Sequence, residues 1–392
     1  MRIYLDHNAT TPVRDEVAAA VARVLRDVPG NPSSAHAEGA AARAEVERAR
    51  ERVAALVGVA PAEVVFTAGA TESNNLALHG VARTSQGRHL VTSAAEHPSV
   101  EEPLAALEAD GFRVTRVPVD RDGLLAADAV AAAITPDTAL VSVLWANNET
   151  GVIQPIEAIA ARAREHGVPL HVDATQAIGK IPVRLDVVPA DLLSASAHKF
   201  NGMKGAGFLI VRGDRALAPW LRGGSQERGR RGGTSNVPGI AALGVACALA
   251  GTELPARAAM MQALRDRLWH GIVAAIPRVR RNGAADHLLP NTLSVEFEDA
   301  PGDVLLEALD LEGIAVSAGA ACASGSVHPS RTLLAMGRTP EQARASLRFS
   351  IGHGNDAAQI DRVLALLPEL VARVRAAQAV GRSASTGLGA VA

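Results

Sequence analysis

The sequence predicts an α/β protein: a large lobe built on a mainly parallel sheet, followed by a smaller α+β lobe. Three observations predict it. Short apolar runs alternate with helix-period segments between residues 64 and 211. The composition then changes to a glycine- and arginine-rich stretch over 222–239. Beyond it lie long helical patterns and a second set of short strands. On this division residues 14–255 form the large domain. Residues 1–13 and 256–380 form the small domain, and residues 381–392 a disordered tail.

The first residues, Met1-Arg2-Ile3-Tyr4-Leu5-Asp6, read as a strand. Residues 37–57 read as an amphipathic helix. Val46, Val53, Leu56 and Val57 recur at helical spacing, Glu45 can pair with Arg48 and Glu47 with Arg50, and Gly58 stops it. Apolar runs at 64–66, 89–91, 114–119, 140–144, 170–172, 192–194 and 208–211 read as strands, with helical segments such as 101–110 and 156–166 between them. The short path from 192 to 211, through glycines at 202–207, reads as a hairpin-type return. The 222–239 stretch reads as a functional loop, and helices follow at 240–250 and 255–276. Strands at 293–297, 314–317 and 347–351 and helices at 303–312 and 356–377 complete the small lobe. The Gly/Ser/Ala-rich end, 382–392, reads as frayed.

Composition narrows the function class. A formal net charge of −2 gives no basis for nucleic-acid or membrane binding. The two cysteines, Cys247 and Cys322, are too few for a disulfide framework or a cysteine-based zinc site. No signal peptide and no apolar run of membrane-spanning length are visible, so a cytoplasmic location is expected.

Several motifs can carry chemistry, and each also has an ordinary structural reading. The chain has three lysines, and Lys199 follows an apolar strand in Ser196-Ala197-His198-Lys199. It is either a Schiff-base amine or a surface residue at a strand end. The run Thr67-Ala68-Gly69-Ala70-Thr71 ends a strand and enters a helix, making either a phosphate cradle or a plain helix start. Asp173 ends a buried strand, where open sheets bind ligands. It either meets a buried cation or caps a helix. His97 suits acid–base work or stacking on a cofactor ring. Asn148 sits in an Asn147-Asn148-Glu149 turn that either holds a ligand or shapes the chain. Arg348, on an apolar strand, either meets a protein carboxylate or forks onto a substrate carboxylate. Cys322 lies among small residues and reads as a reactive thiol, whereas Cys247 in an apolar helix reads as inert.

In their order, these motifs closely resemble the class V aminotransferase-like family of pyridoxal phosphate enzymes of fold type I, and within it the NifS/IscS-like cysteine desulfurases. The resemblance runs over roughly residues 3–375. It is carried by Tyr4-Leu5-Asp6-His7-Asn8-Ala9-Thr10-Thr11-Pro12, Gly30-Asn31-Pro32-Ser33-Ser34-Ala35-His36, the 69–75 turn, Glu96-His97, Asn147-Asn148-Glu149, 171–176, 196–199, 231–234 and 320–329. The resemblance implies that Lys199 carries pyridoxal 5'-phosphate covalently and moves the α-proton of the substrate. It implies that Asp173 keeps the ring nitrogen protonated, that Gln176 contacts the ring oxygen with Asn148 nearby, and that His97 stacks and shuttles protons. Ala70, Thr71, Ser196 and His198 would hold the phosphate, Ala197 would also bind the cofactor, and Thr234 would reach the phosphate of a second subunit in a homodimer. Asn148 and Arg348 would bind the substrate, L-cysteine.

The reaction so implied turns L-cysteine into L-alanine and leaves a persulfide on Cys322. A free thiol with pKa about 8.5 is only a few per cent thiolate at neutral pH, and His97 is the candidate for raising that share. Ala-Cys-Ala-Ser-Gly-Ser-Val-His-Pro-Ser resembles the long catalytic loop of this group. The chain departs from the family with alanine at 318, 320 and 197 and histidine at 328, and its tail is unlike the scaffold-docking extension of housekeeping members. The acceptor, an iron–sulfur scaffold or a sulfurtransferase, and the choice of sulfur over selenium stay open. No intrinsic metal is expected, beyond a transient cluster shared through Cys322 with a scaffold.

Overall fold

The computed structural model describes residues 2–318 and 329–388. The chain begins with β1 (Ile3–Tyr4), α1 (Asp15–Asp27) and α2 (Ala37–Val57). The glycine after α2 adopts a left-handed conformation, φ 72°, which closes the helix where the sequence places its stop. The large sheet is laid down by β2 (Val64–Thr67), β3 (His89–Ser93), β4 (Arg113–Val117), β5 (Thr138–Leu144), β6 (Leu170–Asp173), β7 (Leu192–Ser196) and β8 (Gly207–Val211). Between the first five of them lie α3 (Ala70–Ala82), α4 (Pro98–Ala109), α5 (Ala127–Ala133) and α6 (Ile156–Glu165). The strand order is β2-β8-β7-β6-β5-β3-β4. Only β8 runs antiparallel to its neighbours, as the hairpin-type return predicts. The C-terminal ends of the parallel strands therefore share one edge, and the start of β8 joins them there.

After the glycine-rich loop come α7 (Val237–Ala275), β9 (Val279–Arg281), β10 (Thr292–Phe297), α8 (Gly302–Leu311), β11 (Ile314–Ala315), α9 (Arg331–Ala335), α10 (Pro340–Arg344), β12 (Ser346–Ser350) and α11 (Ala357–Leu388). β12, β10 and β9 form an antiparallel sheet, and β1 pairs with β11. The N-terminal strap continues past β1 and bridges Asp6 to Ser350, so the first residues are tied to elements far along the chain.

Three expectations change. The two helices expected at 240–250 and 255–276 are one helix, α7, which runs through Pro255. Proline inside a helix costs about 3 kcal/mol. Here Leu243, Ala246 and Ala250 are buried in the core of the large sheet, while Leu264, Leu268 and Ile272 are buried in the core of the small lobe. Each large side chain contributes about 1.5–3 kcal/mol on burial, so packing on both sides of the proline outweighs it. α7 is also long and apolar enough to cross a membrane by length and composition, contrary to the sequence expectation, but its apolar residues are spent on these two cores. Finally, α11 continues to Leu388, where a disordered tail was expected from 381. The segment 382–388 holds no proline, and Arg382, Ala384 and Leu388 are good helix formers by type.

Candidate active site

A cavity of about 850 Å³ opens at the shared edge of the large sheet. Ala70, Thr71, His97, Asn148, Asp173, Gln176, Ser196, His198 and Lys199 all line it. Residues more than a hundred positions apart meet because each ends, or directly follows, a strand of that sheet.

One end of the cavity suits an anion. Gly69 precedes α3 with φ 152°, and no side chain caps that helix start. Its first N–H groups and the positive end of its dipole therefore face the cavity. The turn fits tightly, since a Cβ on Gly207 would lie 2.5 Å from Gly69 Cα. Thr71, Ser196 and His198 add polar side chains around it. Glu72 would oppose an anion, but its carboxylate is held by Arg231 at 2.8 Å and by the Ala68 N–H at 2.8 Å. Burial and the nearby Lys199, Lys204 and Lys180 push His198 down to about 4, so it is neutral near pH 7.

The opposite wall holds a buried relay. Asp173 is 5% exposed. It accepts hydrogen bonds from the Asn74 side chain at 2.8 Å and the Thr175 N–H at 3.0 Å. Among the described residues no side-chain cation forms a salt bridge with it, and Thr175 Oγ1 beside it is buried without a partner. Asn74 also donates to Ser99 Oγ at 2.9 Å, and Ser99 Oγ lies 2.8 Å from His97 Nδ1. The Ser99 N–H donates to the same ring nitrogen at 3.1 Å. With Nδ1 so occupied, the neutral ring carries its proton on Nε2, and burial lowers its pKa. His97 therefore offers an N–H in this arrangement, and its free lone pair is already engaged. Its expected service as a base toward Cys322 would first require breaking those bonds.

Lys199 stands between these walls. Its Nζ donates to the carbonyls of Asn8 at 2.6 Å and Ala9 at 2.8 Å. Burial, reinforced by Arg348, lowers its pKa to about 8, against the raising effects of Asp173 and Asp6. The neutral amine is the nucleophile, so its share grows as pH rises. In the cofactor-free protein, borohydride trapping of a small aldehyde on Lys199 is expected to rise through pH about 8 and level off above it. A rate still climbing steeply above pH 10 would contradict this.

Some expected residues are not brought to the cavity. Ala197 is fully buried, and its N–H bonds Ala206 O at 3.0 Å, because the single turn Ala197–Lys199 points the methyl group into the core. Thr234 lines a smaller neighbouring hollow with Ala68, Gly205 and Arg231. Arg348 is tied to protein groups in this structure. It meets Asp6 at 2.6 Å and the Asn148 carbonyl at 2.9 Å, with Nε buried and unpartnered. Cys322 lies outside the described residues. Cys247 is 1% exposed in α7, and burial pushes its thiol pKa up.

Residues given no role from sequence prove central. Asn74 and Ser99 build the relay, Asn8 receives Lys199, and Trp220 lines the rim, stacked on His79 at 4.3 Å. Asn8 and Asn74 lie inside motifs visible in the sequence, which was the available signal. Ser99 lies two residues past His97 in the same strand-end motif, whereas nothing local marks Trp220.

The class V aminotransferase family model matches residues 3–363. A cysteine desulfurase of Trichormus azollae is 44% identical over 375 residues, covering 95% of this chain and 94% of that protein. A solved NifS-like protein superposes with TM-score 0.89 at 38% identity, covering 95% of this chain and all of that one. A structure described as SspA in complex with cysteine matches with TM-score 0.80 at 37% identity, over 90% of this chain and 99% of that one.

Proposed function

This chain belongs to the class V aminotransferase family, and we propose that it works as a cysteine desulfurase, with pyridoxal 5'-phosphate held at Lys199 and Cys322 as the sulfur acceptor. The observation that carries the reading is the meeting, in one cavity, of Lys199, a buried Asp173 that has no salt bridge among the described residues, and the uncapped start of α3. The donor set fits the cofactor. The start of α3 with Thr71, Ser196 and His198 would hold its phosphate. Asp173 would pair with its ring nitrogen, and Gln176 would donate to its ring oxygen. Bound there, the cofactor supplies a conjugated ring that takes up the electron pair released at the substrate's α-carbon.

The protein's own groups do the rest. The Lys199 amine takes the α-proton of L-cysteine, and a pKa near 8 leaves it able both to accept and to return a proton. Asp173, fixed by Asn74 and Thr175, would face the ring nitrogen. His97 covers the site with an N–H. The Cys322 thiolate attacks the substrate sulfur: the carbon–sulfur bond breaks, a sulfur–sulfur bond forms, and the carbon gains a proton. L-Cysteine and the Cys322 thiol thus become L-alanine and a Cys322 persulfide.

The same reading makes the protein a homodimer in which Thr234, turned away from its own cavity, serves the partner's phosphate site. It gives the persulfide to an acceptor protein, an iron–sulfur scaffold or a sulfurtransferase. It also fits a cytoplasmic location, where thiols stay reduced. The purified protein with pyridoxal phosphate, L-cysteine and a thiol reductant should form alanine and sulfide in equal amounts. Alanine without sulfide, or neither product, would reject the reading.

A further inference from the structure

Lys180 is a buried amine side chain with no part in the chemistry above. It is 4% exposed and sits four residues beyond Gln176 in the run of turns that follows β6, and the two side chains meet. Its Nζ donates to Gln176 Oε1 and, at 2.9 Å, to Asn8 Oδ1. Among the described residues, the charged and titratable groups that act on it or feel it are Lys199, Arg348 and Arg257, with His7 and His198; none of these is a carboxylate. A lysine in such a place costs stability, and burial together with those cations drives its pKa well down. Gly179, at φ 74°, packs on Phe200 and keeps the turn that aims Lys180 inward.

Its two acceptors belong to the site. Asn8 uses every polar atom it has. Its N–H meets Ser350 Oγ at 2.9 Å. Its Nδ2 meets the Asn148 carbonyl at 3.1 Å and Thr292 Oγ1 at 2.8 Å. Its Oδ1 also receives Asn291 at 3.0 Å. Its carbonyl receives Gln176 Nε2 at 3.0 Å and Lys199 Nζ at 2.6 Å. The two ends of a glutamine amide have the same shape, so their partners decide which way it faces. Lys180 takes the oxygen and Asn8 takes one N–H, which leaves the other N–H for the cavity that Gln176 lines.

We propose that Lys180 is a positioning residue: it locks the Gln176 amide with its N–H toward the cavity and holds the Asn8 strap where its carbonyl receives Lys199. The inference rests on the reading of the cavity as a pyridoxal phosphate site. Without Lys180 the Gln176 oxygen is buried and unpaired, and the side chain must turn to satisfy it. The N–H presented to the cofactor's ring oxygen is then lost.

Three variants test this: K180M, Q176L and K180M/Q176L, each loaded with pyridoxal phosphate. Two quantities are read: the pH midpoint of the visible absorption band without substrate, and kcat and KM for L-cysteine. K180M should move the midpoint by about one pH unit and lower kcat by about tenfold, with KM little changed. Q176L should do the same, and the double variant should be no worse than Q176L. A wild-type midpoint in K180M, or effects that multiply in the double variant, would overturn the proposal, since a lysine that merely fills space acts independently of Gln176. If K180M does not fold, K180Q carries the test. Its side chain is one bond too short to reach both oxygens, so a midpoint shared with Q176L supports the proposal and the wild-type midpoint overturns it. A wild-type protein with no visible band would instead fail the functional reading itself.

Discussion

Lys199→Ala is expected to bind pyridoxal phosphate only reversibly, so that gel filtration strips it, and to turn over L-cysteine 10²–10⁴-fold more slowly from lost proton transfer alone (an order-of-magnitude range). Lys180 is buried and Lys199 half-buried, and of these two only Lys199 lines the cavity. Lys180 is tied behind the wall by Gln176 and Asn8. Lys204 also lines the cavity but is exposed at its edge, beside Gly205. The alternative anchor is therefore Lys204, and the experiment separates the two. Borohydride reduction of the loaded protein, then peptide mass mapping, should label Lys199 in the wild type and nothing in Lys199→Ala. A label on Lys204 in the wild type would move the anchor. The fold should survive, because the Asn8 carbonyl keeps its bond from Gln176 Nε2.

The sequence carried the sheet and the strand-end chemistry well, for a physical reason. A strand buried on both faces is written as a continuous apolar run, and the polar residue that follows it must lie at the sheet edge. Asp173, His97, Ser196 and Lys199 are all of this kind, and all reach the cavity. Arg348 illustrates the opposite case. Its partner Asp6 is 342 positions away in sequence, and only the N-terminal strap brings it near. No local pattern could choose between a protein and a substrate carboxylate. The relay from Asp173 to His97 was hidden likewise, since Asn74 and Ser99 are polar residues on helices whose partners come from other elements. Pro255 misled in the familiar direction, with a local breaker overruled by two cores that each hold one half of the helix.

Cys322→Ser should abolish both sulfide and alanine formation from L-cysteine while leaving the cofactor's visible band in place. The flanks of the segment carrying Cys322 are fixed at the site. Before it, Ser317 exchanges backbone hydrogen bonds with Arg348 at 2.7 and 3.1 Å. After it, Ser330 caps α9, and Thr332 Oγ1 lies 3.3 Å from both Asn147 Nδ2 and Glu149 Oε1. The second flank thus meets the turn that carries Asn148 directly, and the first is joined to it through Arg348, which with Asn8 donates to the Asn148 carbonyl. A thiol with pKa about 8.5 is partly thiolate at neutral pH, whereas a serine hydroxyl is not, and sulfur attack on sulfur has no oxygen counterpart that the site would favour. Cys247 cannot stand in. It is fully enclosed in α7 within the large core, and its thiol is held protonated by burial. Cys247→Ser is therefore the matched control and should keep the wild-type rate wherever it folds. The decisive comparison is sulfide and alanine in the two variants at equal cofactor occupancy. A Cys322→Ser protein that still releases sulfide at the wild-type rate would show that the substrate's sulfur leaves without a protein thiol, and would reduce the enzyme to an eliminating relative of the proposed one.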